Sequence, residues 1–79
     1  MQFEVLVELK KEVLDTEGRA IQQTLSRLGH KSLTDVMVSK RFVINVDEDS
    51  GDTAEKLVHD LAAEHLANPV SETFQVRKL

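Results

Sequence analysis

The sequence predicts a single α+β domain, residues 1–79, of element order βαββαβ, with a four-stranded antiparallel sheet and two helices on one face. Apolar residues alternate with polar ones at both ends of the chain, as strands with one buried face require. Two stretches of helical periodicity follow acidic capping positions. Between them, residues 33–46 keep their apolar side chains on one parity across a polar interruption.

Phe3, Val5, Val7 and Leu9 alternate with Gln2, Glu4, Leu6 and Glu8, which gives the first strand. Asp15 then stands at an N-cap position, and Ala20, Ile21, Leu25 and Leu28 recur at helical spacing until Gly29 offers a C-terminal stop. In 33–46 the apolar positions are Val36, Val38, Phe42, Ile44 and Val46. A hairpin turning at Ser39-Lys40-Arg41 would place Val38 opposite Phe42 and Val36 opposite Ile44. One continuous bent strand satisfies the same parity, and the hairpin is the favoured expectation. Ala54, Leu57, Val58, Leu61, Ala62 and Leu66 form the second helix, capped by Ser50 or Asp52, with Asp52 and Glu55 spaced as in a capping box. Asn68-Pro69 ends it, because a residue before proline avoids the helical region. Val70 to Leu79, with Phe74 and Val76 alternating, gives the last strand. This order is that of the ferredoxin-like two-layer sandwich, an architecture that hosts many unrelated functions.

A 79-residue chain is short of core: a domain of this size rarely draws more than about 3–5 kcal/mol from a single apolar interior. With no cysteine, disulfides cannot supplement it, and a cytoplasmic location is expected. A partner chain or a metal remains as support. The net charge of −4, with no Trp or Tyr and three Phe, argues against nucleic acid, which needs clustered cations and stacking platforms. No apolar run reaches the roughly 20 residues of a membrane span, and Met1-Gln2-Phe3-Glu4 does not open a signal peptide.

The chain offers little to catalysis. The acidic stretch from Asp47 to Asp52 fails as a calcium loop, since an EF-hand counted from Asp47 would need glycine at Asp52 and glutamate at Val58. His59 and His65 are six apart, whereas two ligands on one helix face stand three or four apart. No nucleophile motif surrounds any serine, and three glycines form no phosphate-cradling loop. No catalytic, cofactor-binding or metal-ligating residue is therefore expected. What remains is a surface: on the sheet face away from the helices, Leu6, Met37, Val43 and Leu79 are expected to form an apolar spine rimmed by acids and arginines. Such a patch suits self-association.

Val13-Leu14-Asp15-Thr16-Glu17-Gly18-Arg19-Ala20-Ile21 resembles the V-L-D-P-x-G-x-A-[VI] segment of the PurS subunit family of phosphoribosylformylglycinamidine (FGAM) synthase. Leu66-Ala67-Asn68-Pro69-Val70 resembles that family's L-x-N-P-V, and Leu28-Gly29, the Val36 and Val38 pair and Lys40 also fit. Thr16 stands where the family commonly has proline, and Ser39 where glycine is common in the turn. The resemblance implies a cytoplasmic, non-catalytic subunit of the fourth step of purine biosynthesis, a homodimer or tetramer bridging a glutaminase (PurQ-like) and a synthetase (PurL-like) subunit and helping ammonia pass between them. ATP and Mg would belong to the synthetase. It also marks Asp15, Gly18, Asn68 and Pro69 as a structural or interface motif. Gly18, costly early in a helix by about 1 kcal/mol, is expected to permit a close backbone approach, either to a partner or within the chain near Asn68-Pro69. A second reading of the same element order is an ACT-like module that binds a small molecule.

Overall fold

The computed structural model describes all residues, 1–79, in the element order β1 (Gln2–Leu9), α1 (Thr16–Arg27), β2 (Lys40–Asn45), α2 (Gly51–Leu61) and β3 (Glu72–Lys78). A π-helical turn, Ala62–Leu66, prolongs α2. The sheet has three strands in the order β2-β1-β3, antiparallel throughout. Phe3, Val5 and Val7 on the central strand face α2 and are essentially inaccessible, and they form the core with Ala54, Val58, Ala62 and Ala67. Phe42, Ile44, Phe74 and Val76 flank it, half-buried.

The predicted four-stranded sheet is not formed. Residues 33–39 run without turn or bend and pair with no strand, and the chain passes directly into β2 at Lys40. The expected hairpin fails because Ser39-Lys40-Arg41 has no residue suited to the positive φ of a tight hairpin turn. No residue other than Gly29 (φ 104°) takes a positive φ. Backbone groups of Val36 and Val38 are instead engaged by the start of α1.

The expected pair of helices on one sheet face is also corrected: α2 alone packs on the sheet. Helix α1 and residues 33–39 form an arm, and the molecule measures 51 × 24 × 14 Å with a radius of gyration of 16.2 Å. A compact chain of this length would have a radius near 12 Å. Ile21 and Leu28 on α1, 39% and 70% exposed, are left without the cover that the sheet would have given them.

The caps are specified locally. Asp15 accepts a hydrogen bond from the Gly18 N–H at 2.8 Å, and Ser50, rather than Asp52, caps α2 by accepting from Thr53. At the far end of α2 the Ala67 N–H reaches back to the Ala62 carbonyl, a wide turn that swings the chain out of the helix. Asn68-Pro69 follows as the connection to β3.

Candidate functional site

Asp15 and Gly18 form one joint between α1 and residues 33–39. One Asp15 oxygen caps Gly18, while the other accepts the Val38 N–H at 2.7 Å. A side chain at Gly18 would lie 2.0 Å from the Val36 carbonyl oxygen, so only glycine permits this approach. The Val38 and Gly18 N–H groups hold the Asp15 carboxyl below its ordinary pKa by stabilising the charged form. The backbone that Gly18 meets is thus that of Val36 in its own chain, not the Asn68-Pro69 turn.

Asn68 and Pro69 build a separate turn at the end of β1. The Asn68 side-chain oxygen accepts from Val70, its N–H donates to Glu72, and the Lys10 ammonium donates to the Pro69 carbonyl at 2.9 Å. Beside the Asp15 joint lies a cleft of about 780 Å³ whose lining includes Glu8, Lys10, Lys11, Met37 and Thr73.

On the sheet face away from α2, the register sets Val43, Glu4 and Arg77 in one row and Arg41, Leu6 and Gln75 in the next. Leu79 sits beside Gln2, to which its N–H is bonded. Leu6, Val43 and Leu79 share this face. Met37 does not lie on a strand and is 77% exposed on the unpaired segment. The charges also lie differently from expectation: Glu4 is on the central strand, ion-paired with Arg41 and Arg77 from the two edge strands, so the charged cluster crosses the middle of the face. The Arg41 hydrogen bond, with Arg77 close by, lowers the Glu4 pKa despite partial burial. The placement of Glu4 follows from β1 being central, which composition does not announce. Elsewhere, the His59 ring meets Phe74 edge-on at 5.0 Å, a packing contact.

Beyond the capped helix joint and the Asn-Pro turn, the whole chain has a counterpart among known proteins: the family described as "PurS: Phosphoribosylformylglycinamidine (FGAM) synthase" matches residues 2–79. The chain belongs to the PurS family. It is 36% identical over 74 residues to the FGAM synthase subunit PurS of Mycobacterium leprae, covering 94% of this chain and 90% of that protein. The crystal structure of Methanocaldococcus jannaschii PurS superposes with a TM-score of 0.86 at 32% identity, over 96% of this chain and 92% of that one. The PurS-like chain in the structure of PurLQS from Thermotoga maritima gives 0.88 at 26% identity, over 99% and 95%. Membership makes this chain a subunit of FGAM synthase, a ligase of purine biosynthesis. No helix is long and apolar enough to cross a membrane.

Proposed function

We propose that this chain is a non-catalytic, self-associating subunit that holds the glutaminase and synthetase subunits of FGAM synthase together in the cytoplasm and assists the passage of ammonia from one to the other. The observation that carries the proposal is the near-complete superposition on a chain of the Thermotoga maritima PurLQS structure, 99% of this chain at a TM-score of 0.88. The chemistry of the surface agrees with a binding role. The two carboxylates with displaced pKa values, Glu4 and Asp15, are both committed to structural hydrogen bonds. ATP and Mg are used by the synthetase partner, and this chain supplies surfaces: the open sheet face with Leu6, Val43 and Leu79, and the arm carrying Met37, Asp15 and Gly18.

Sedimentation of the purified chain with its synthetase and glutaminase subunits tests the assembly role. All three are expected in one boundary, and omission of this chain is expected to separate the other two. A stable synthetase–glutaminase pair that excludes the chain would overturn the proposal.

A further inference from the structure

We infer that the β3 edge of the sheet is a contact between copies: β3 pairs antiparallel with β3 of another chain about a two-fold axis through Gln75, joining two sheets into one. This rests on the self-association proposed above and gives it a surface that involves neither β2 nor the arm.

The backbone leaves this edge open. The Leu79 N–H donates to the Gln2 carbonyl and the Lys10 N–H to the Ser71 carbonyl, so by strand alternation Thr73, Gln75 and Arg77 direct their N–H and C=O groups to β1. Phe74, Val76 and Lys78 direct theirs outward, where no strand follows and no other part of the backbone reaches them. Only at Glu72 is the outward N–H taken, by the Asn68 carbonyl. Sheet proteins ordinarily blunt such an edge with proline, a bulge or charges. Here the strand holds no proline, its register with β1 is unbroken from Glu72 to Lys78, and the core-side residues at its centre are Phe74 and Val76, each only half-buried.

Self-complementarity points to a second copy as the occupant. The strand Glu72–Lys78 is centred on Gln75, so an axis there pairs the whole strand with its copy and leaves no overhang. Phe74 then lies opposite Val76 of the other copy, and Glu72 opposite its Lys78, on both sides of the axis. These are the residues whose backbone groups point outward, so they meet as hydrogen-bonded pairs. Moving the axis to Phe74 would set Glu72 against Val76, and moving it to Val76 would set Lys78 against Phe74, a charge against an apolar side chain in either case. On the open face the axis at Gln75 sets Thr73 beside Arg77, with no like charges opposed.

The helices accommodate this approach. Helix α2 packs over β1 and β3, and its His59 ring meets Phe74 edge-on at 5.0 Å. With strands about 4.8 Å apart, a helix seated between β1 and β3 meets its two-fold copy at about 10 Å, an ordinary distance for packed helices. The α2 face on that side carries Asp52, Glu55, Lys56 and His59, so it presents both signs of charge to its copy.

Because the chain has no cysteine, introduced thiols report this contact cleanly. Gln75 is exposed, and on the axis its two copies form a non-hydrogen-bonded pair with Cα atoms about 4.5 Å apart, within disulfide range. Two copies of Thr73 stand about 13 Å apart along the strands. Gln75→Cys, oxidised with copper–phenanthroline at tens of micromolar, is expected to give the covalent dimer at least tenfold faster than Thr73→Cys. Co-expressed T73C and R77C, distinguished by a mass tag, are expected to give the mixed product in excess of either variant with itself. An oligomer by light scattering in which Q75C crosslinks no faster than T73C overturns the β3 pairing and leaves self-association through another surface. A monomer at tens of micromolar, with no Q75C product, overturns both.

Discussion

Six of the seven apolar residues of the buried core belong to β1 and to α2 with its π-helical extension, and the seventh, Ala67, directly follows that extension, whereas the arm of α1 and residues 33–39 buries only Gly18. The body is held by what folds any small domain, the removal of Phe3, Val5, Val7 and Val58 from water. The arm is held by a polar joint, one carboxylate shared between two backbone N–H groups and one glycine set against a carbonyl. Such a joint fixes direction while burying almost nothing. The body therefore has an apolar core of its own, and the arm is set in place by polar contacts alone.

The largest expected effect lies in the body. Phe3→Ala removes a fully buried aromatic ring and is expected to cost about 3–5 kcal/mol by urea titration, enough to unfold much of the protein at 25 °C. A loss below about 1 kcal/mol would show that the core is held by something other than this packing. Gly18→Ala sharpens the contrast from the other side. Helix propensity alone would favour alanine by about 1 kcal/mol, yet its Cβ would meet the Val36 carbonyl oxygen, and overpacking of this kind costs about 1–3 kcal/mol. Amide hydrogen exchange is expected to quicken in α1 and residues 33–39 while β1 and α2 keep their protection. Uniform change across both regions would break the division.

The pH dependence of the joint follows from Asp15. Its pKa is lowered in the folded chain, so its contribution is fully present above the unfolded value of about 3.9 and is lost as pH falls through the folded value. As pH falls below about 4, exchange corrected for the intrinsic rate is expected to rise first in the arm, and Asp15→Asn is expected to weaken that dependence. The smallest effect is expected from Glu4→Gln on the open sheet face. It breaks pairs with Arg41 and Arg77, whose side chains are more than half exposed, and such pairs contribute little and are screened by salt. A thermal melt of this variant should fall by less than that of Gly18→Ala, and the difference from wild type should shrink in 1 M NaCl.

The legible part of the fold was the part with a single chemical cause. The alternation of Phe3, Val5 and Val7 states which face of β1 is buried, and the stripe through Ala54, Val58 and Ala62 states where α2 lies. Residues 33–39 carry the same parity whether they pair in their own sheet or elsewhere, so periodicity could not separate a hairpin from an unpaired segment. Likewise the stripe of Ile21, Leu25 and Leu28 says that α1 has an apolar side and is silent on which chain covers it. At the joint, Asp15 as a cap and Gly18 as a point of close approach were readable from local chemistry. Their partners, Val38 and Val36, lie about twenty residues further on and carry no side-chain signal, since the groups engaged are backbone.

The account turns on this chain being required for coupling rather than for chemistry. The measurement that tests it most directly is the formation of formylglycinamidine ribonucleotide by purified glutaminase and synthetase subunits, with and without the chain, driven by glutamine or by free ammonia. Glutamine-driven turnover is expected to require the chain, and ammonia-driven turnover to persist without it. Glutamine-driven turnover at an undiminished rate in its absence would contradict the account.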